Sequence, residues 1–502
     1  MPDARQIGDT LAARRIRLQL GTMVYDPTDK MFVNILATFA EFEADLLRVP
    51  TREGMAIARA KGKRKGRAPK LPATRQAHLL SAGWWMRDAV PDPDIKSKYL
   101  AGWDSYQARG LLGRTSQIGG RDNDQSLRSR RSLPPGLATP GEATMPESSV
   151  LADIPAAVAR AAETDGFSGV VLIRRGEDTL HACVTGLAQR AWQVPHTLDT
   201  RFRVASVSKM FTAVGVLQLV ERGLLDLDAP IVELLDLADT TISAQVTVRQ
   251  LLTMTGGIAD WFDETGDWEA TWAELLRTHP VYLLRRNADY LPLFADKPAR
   301  FPPGERHEYN GASYILLGML IEQLTMAPFA EHLREHVFGP AAMTDTDLLP
   351  LEADAPRVAD GYVPARDGTG AITGWTRNIY ATTPEPAADG GATATAADLI
   401  AFTQALRAGA LLPDQAVAEM LAPRVAERAE KVRGYLWRYG YGVMSILDDD
   451  GTVIRWGHTG EEDGVSTRLY HYPSLNIDVA ICANTSWSAG KLAWNIHDLL
   501  LP

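Results

Sequence analysis

The segment Arg201–Ile231 reads RFRVASVSKMFTAVGVLQLVERGLLDLDAPI. Apolar residues recur at helical spacing from Met210 to Leu225, which predicts a helix with Ser206 and Lys209 at its start in an S-x-x-K spacing. Residues three apart share one helix face, so the hydroxyl and the amine lie together. The positive end of a helix dipole favours negative charge developing on a serine oxygen. A lysine acts as a base only where burial or a neighbouring cation strips its proton, and three pKa units amount to about 4 kcal/mol. Serine and lysine are also common in ordinary first turns, so the spacing by itself leaves a plain helix start as the alternative.

Working outward, Val150–Thr164 predicts a helix, and GVVLIRR and TLHACVTG predict a hairpin turning across Gly176–Asp178. A second apolar helix is expected at Ser313–Leu324. Near the end, GYGVMSIL, TVIRWG, STRLYHY and IDVAICA read as strands, followed by a helix at Lys491–Leu500. Strands at both ends of this region with helices between them predict an α+β domain built on an antiparallel sheet flanked by helices.

The 502 residues carry a formal charge of -10, a figure that hides two segments of opposite sign. Residues 1–144 hold 24 Lys and Arg against 15 Asp and Glu, whereas the remainder holds 28 against 47. Hydrophobic residues at 45% exclude a wholly disordered or fibrous chain. Cys183 and Cys482 lie in apolar strand-like runs and read as small buried hydrophobes, a disulfide between them being the alternative. The charged opening MPDARQIGDTLAARRIR lacks the apolar centre of a secretory signal, and no apolar run approaches the ~18 residues of a membrane span. The expectation is a cytoplasmic protein without membrane attachment.

Within residues 1–83, Arg15–Gly21 suits a strand, YDPTDK a turn and Met31–Leu47 a long helix. Seven basic residues then follow without an acid: Arg59, Lys61, Lys63, Arg64, Lys65, Arg67 and Lys70. They are either a solvated face or an extended arm able to follow a phosphate backbone, a candidate weak and nonspecific DNA contact. The segments VYDPTDK, FVNILATFAEFEADLL, TREGMAIARAKGK and GRAPKL resemble the end of the catalytic domain, long helix and basic hinge of serine recombinases of the resolvase/invertase type. The resemblance is truncated: the segment bearing the family's nucleophile has no counterpart, Pro50 interrupts the helix, and no helix-turn-helix follows. It implies a partial βα fragment without recombinase activity. Residues 84–149, rich in Gly, Ser, Arg and Pro, read as a linker with too little apolar surface to offset chain ordering.

The region around Ser206 resembles the active-serine segment of the β-lactamase-related serine hydrolases. That group includes class C β-lactamases, penicillin-binding D,D-peptidases, family VIII esterases and D-aminopeptidases. GFSGVVLIRRG, VTVRQLLTMTGGI, PPGERHEYNGASYILLGMLIE, GGATATAADLIAFTQAL and WGHTGEEDG resemble the group in the same order, covering residues 150–502. The resemblance implies a β-lactamase/transpeptidase-like domain with an added helical subdomain. It implies Ser206 as nucleophile, Lys209 as its base and Tyr309 as a proton shuttle, with the backbone N–H groups of Ser206 and Glu461 as the oxyanion hole.

Two boxes depart from the family pattern. The third residue of the Y-x-N box is Gly311, which puts amide recognition in doubt and leaves Asn310 as a candidate substitute. The K-T-G box is His458-Thr459-Gly460, implying a weaker, pH-dependent positive field from His458 and substrate contacts from Thr459 and Gly460. Trp261, Phe262, Trp268 and Trp272 are either a wall of the acyl pocket or an apolar helix face. No spacing suggests a metal or organic cofactor.

These features lead to an expected acyl-enzyme hydrolase of small esters or amides, with a β-lactamase or D-amino-acid peptidase as the alternative. Two other readings stand beside it: a DNA-associated protein acting through the basic run, and a catalytically silent binding module on the same fold.

Overall fold

The computed structural model describes the strands Leu18–Leu20 and Met23–Tyr25, then residues 151–264 and 266–501. The helix expected at Met31–Leu47, the basic residues Arg59 to Lys70 and the linker at 84–149 lie outside the described residues. The expected strand Arg15–Gly21 appears as β1 (Leu18–Leu20), and it pairs antiparallel with an unforeseen β2 (Met23–Tyr25). The segment that begins the predicted turn therefore closes a short hairpin.

In the larger unit, α1 (Ile154–Thr164) leads into the hairpin β3 (Gly169–Arg175) and β4 (Asp178–Thr185). Helices α2 (Ser208–Glu221), α3 (Trp268–Thr278), α4 (Gly311–Thr325) and α5 (Ala396–Arg407) follow. The chain then returns to the sheet as β5 (Val425–Ala426), β6 (Leu436–Tyr439), β7 (Met444–Leu447), β8 (Val453–Glu462), β9 (Val465–Tyr472) and β10 (Ile477–Ala483), and it finishes in α6 (Ala489–Leu500). The eight-stranded antiparallel sheet runs β5-β6-β7-β8-β9-β10-β3-β4, so the first and last strands of the unit are neighbours.

Alternation along the strands sends side chains to two cores. On β3, Val170 and Leu172 face the core that contains α2, α4 and α5, whereas Val171 and Ile173 face α1 and α6. The two cysteines stay free; Cys482 is buried, and burial pushes its thiol up to about 12. Among the described residues no single helix is long and apolar enough to cross a membrane.

Helix α2 is buried almost all round, from Ser208 to Leu217, so it runs through the centre of the fold instead of along its surface. It starts at Ser208, two residues before the apolar periodicity begins at Met210, and ends at Glu221, four short of Leu225; Ala205–Val207 ahead of it forms a 3-10 turn. The expected strand GYGVMSIL shortens to Met444–Leu447 because Gly440–Gly442 makes a turn. Gly442 has φ +68°, and a Cβ there would lie 2.9 Å from both the Lys209 carbonyl and the Ala213 methyl.

The turn therefore lies directly on the helix that carries Lys209. Gly442→Ala combines a left-handed backbone with overpacking, for an expected loss of about 2–4 kcal/mol. Urea denaturation of the full chain measures it; unchanged stability would show that the turn does not seat on α2.

Candidate active site

Ser206 sits in the 3-10 turn that precedes α2, directly after Ala205, whose φ of +46° is a left-handed conformation uncommon for a residue with a side chain. That conformation is held from two sides. The Ser208 hydroxyl donates to the Ala205 carbonyl at 2.7 Å, and the Gly391 N–H donates to the same oxygen at 3.3 Å.

One turn on, Lys209 is only 1% exposed, and its Nζ lies 2.9 Å from Ser206 Oγ and 2.6 Å from the Asp389 carbonyl. Tyr309 stands above it, with Nζ 5.0 Å from the ring centre, and its hydroxyl shares a hydrogen bond with Ser206. Burial and the nearby Glu264 carboxylate raise the Tyr309 phenol well above its ordinary range. The resting group is therefore the neutral phenol, not a phenolate.

His458 requires a correction. It is fully buried; its Nδ1 lies 2.5 Å from the Thr459 carbonyl and its Nε2 lies 3.2 Å from the Tyr439 hydroxyl. A carbonyl only accepts, so Nδ1 carries the hydrogen and the Tyr439 hydroxyl donates to Nε2. Burial, reinforced by Lys209, lowers its pKa to about 3. The ring is neutral at physiological pH and supplies no positive field.

Asn310 also departs from expectation. It is the N-cap of α4: its side-chain oxygen accepts from the Ser313 N–H at 2.7 Å and the Ser313 hydroxyl at 2.8 Å, while its amide donates to the Ile258 carbonyl. With its polar atoms committed to the helix start, it is not a free substrate ligand.

Gly311 is explained by its neighbours. A Cβ there would lie 2.8 Å from both Asp389 Oδ2 and Trp261 Nε1. Those two atoms are themselves hydrogen-bonded at 2.8 Å, so an indole–carboxylate pair fills the space next to residue 311. Asp260 adds a second cap to α4, accepting from the N–H groups of Gly311 and Ala312 at 2.8 and 2.9 Å.

Thr459 contacts the Met444 sulfur, and Gly460 backs onto the Val204 carbonyl, 2.2 Å from where a Cβ would be. Neither lines the cleft around Ser206. Gly460 instead lets β8 approach the nucleophile turn closely.

That cleft encloses about 500 Å³, including its open mouth. It brings together Ser206, Lys209, Glu461 and the four aromatic residues singled out in the sequence, all of which line it. Phe262 stands at the centre of the wall, 4.6 Å from Trp268 and 5.7 Å from Trp272 between ring centres. A separate cavity beside Phe202, Leu351 and Asn484 holds neither Ser206 nor Lys209.

Sequence reasoning missed three acids in the cleft: Glu264, Asp389 and Glu462. Glu462 accepts from the Thr382 hydroxyl at 2.7 Å and faces Arg203 at 3.5 Å, while Glu461 is held by Arg468 and Ser466. Glu264 is reached by solvent from the mouth of the cleft. Crowding by the cleft walls, with the Asp260, Asp389 and Glu462 carboxylates, pushes it up to about 7 against the pull of Lys209. Among the described residues no cluster of three or more His, Cys, Asp or Glu is arranged to hold a metal ion.

Comparison with known proteins matches residues 154–500 to the beta-lactamase family model. The chain belongs to the beta-lactamase family. Residues 1–64 separately match the resolvase N-terminal domain.

Among relatives, this beta-lactamase-family chain is 28% identical to esterase EstB of Burkholderia gladioli, over 66% of this chain and 89% of that protein. It is also 28% identical to penicillin-binding protein 4 of Amycolatopsis lactamdurans, over 61% of this chain and 77% of that one. A penicillin-binding protein from Bacillus halodurans of known structure shares 34% identity with a TM-score of 0.61, covering 68% of this chain and 99% of that one. A Streptomyces D-stereospecific amidohydrolase, at 24% identity and TM-score 0.57, has the same fold. The protein is a serine hydrolase of this family.

The packing around residue 311 makes restoring the box residue harmful. Gly311→Asn should break the Trp261–Asp389 bond, cost about 1–3 kcal/mol by overpacking and confer no β-lactam turnover. Urea denaturation beside a cephalosporin assay tests this; full stability together with new turnover would contradict it.

Proposed function

We propose that the cleft hydrolyses small esters or amides through an acyl-enzyme on Ser206. The observation that carries this reading is the buried Lys209 Nζ, 2.9 Å from Ser206 Oγ and within proton-transfer reach. In this reading, Lys209 takes the serine proton as Oγ attacks the carbonyl carbon. The backbone N–H groups of Ser206 and Glu461 face the developing oxyanion, where one such donor is typically worth ~2.7–4 kcal/mol. The Tyr309 phenol, hydrogen-bonded to Ser206, passes a proton to the leaving group. Water then attacks the acyl-enzyme and releases the acid. Every residue assigned a role falls within the proposed hydrolase domain, 150–502.

Two observations favour esters over β-lactams. The space beside residue 311 is taken by the Trp261–Asp389 pair, and His458 is a neutral ring bonded to Tyr439, so neither an amide side chain nor a cation is available at those two boxes. The esterase relative is consistent with this choice.

Short-chain 4-nitrophenyl esters assayed beside a chromogenic cephalosporin test the reading. The expected result is a kcat/KM at least 100-fold higher for the ester, and a loss of at least 1,000-fold in Ser206→Ala. Ester activity that survives Ser206→Ala would remove the nucleophile assignment, and efficient cephalosporin turnover would reverse the substrate preference.

A further inference from the structure

The charge of the cleft points to a narrower class of substrate, an inference that rests on the hydrolase reading above. We infer that the acyl part of the substrate carries a positively charged amine, held by Glu264 against the aromatic wall.

The cleft is a ligand site on grounds unrelated to its charge, because Ser206 and Lys209 lie in it. Its lining contains one cationic residue, Lys209, and four acids: Glu264, Asp389, Glu461 and Glu462. Lys209 is already engaged by Ser206 and the Asp389 carbonyl. Arg468 offsets Glu461, Arg203 offsets Glu462, and Asp389 accepts the Trp261 indole N–H. Glu264 alone of the four has no hydrogen bond or ion pair among the described residues, and it is the one most open to solvent. A carboxylate with no partner of its own in a catalytic cleft, the nearby Lys209 being held by other groups, favours an incoming cation and disfavours an incoming carboxylate.

The wall supplies the complementary surface. Trp261, Phe262, Trp268 and Trp272 line the same cleft as Glu264, and Phe262 and Trp268 stand edge to face. Aromatic faces beside a carboxylate are the recurring means of holding a quaternary or alkyl ammonium group, through the ring quadrupole and the formal charge together. The neutral His458 removes the cation that would otherwise attract a substrate carboxylate.

Two esters of matched shape test the inference on the full chain: 4-nitrophenyl 4-(trimethylammonio)butyrate and its uncharged isostere, 4-nitrophenyl 5,5-dimethylhexanoate. Rates are divided by the fraction of chains whose serine is titrated by a fluorophosphonate, so misfolded protein does not count. The expected kcat/KM ratio is tenfold or more in favour of the cationic ester, collapsing to within about threefold in Glu264→Gln and retained in part by Glu264→Asp. Equal turnover of the two esters by the natural sequence would overturn the ammonium preference and leave the hydrolase reading standing. A preference that survives Glu264→Gln would overturn the role of Glu264. No turnover of either ester by chains that also fail to titrate would overturn the hydrolase reading and this inference with it.

Discussion

A lysine amine buried in the centre of the domain constrains everything around it. Burying an amine is costly unless partners surround it, and Lys209 finds them in Ser206 Oγ and the Asp389 carbonyl. The second partner belongs to a loop far away in sequence, and the polar residues of α2 hold that loop in place. Thr212 donates to the Ala388 carbonyl at 2.6 Å, and Ser208 accepts from the Ala392 N–H at 3.0 Å. Asn287 fixes the loop from the other side by accepting from the Ala388 N–H. The polar side chains on an otherwise apolar helix thus fasten the loop that positions the lysine, and the lysine positions the serine.

The same loop explains how this chain departs from its family's usual boxes. Asp389 offers its carbonyl to Lys209 and its carboxylate to the Trp261 indole, and that second bond takes the volume next to Gly311. Asp260 meanwhile caps α4 with one carboxylate while Asn310 caps it with its side-chain oxygen, so the helix start is secured by groups that elsewhere could have met a ligand. On the opposite wall, His458 is tied to Tyr439 and stays neutral. The two changes act together, because both remove groups that would greet an anionic amide and leave an aromatic, acidic cleft.

Much of the sheet was legible because strand alternation is a local signal: β3, β9 and β10 appear where Val, Ile and Tyr repeat. Ser206, Lys209 and Tyr309 were found through short motifs, which survive in the linear sequence. Asp389 was not, because it matters through a partner distant in the chain, Trp261, and Glu264 was not, because only the fold brings it into the cleft of Ser206. The charge of His458 was misjudged for a related reason. Its neutrality comes from complete burial and the nearby Lys209 amine, neither of which a three-residue box reveals. β6 was missed because Leu436–Tyr439, LWRY, mixes an arginine with aromatics and is too short for clear alternation.

The central claim is that Ser206 is a nucleophile because Lys209 is held against it. Labelling the full chain with a fluorophosphonate, then mapping the adduct by peptide mass, tests this most directly. The account predicts one adduct per chain, on Ser206, with labelling slowed at least 100-fold in Lys209→Ala chains whose circular dichroism is unchanged. An adduct on another residue, or labelling as fast without Lys209, would contradict it.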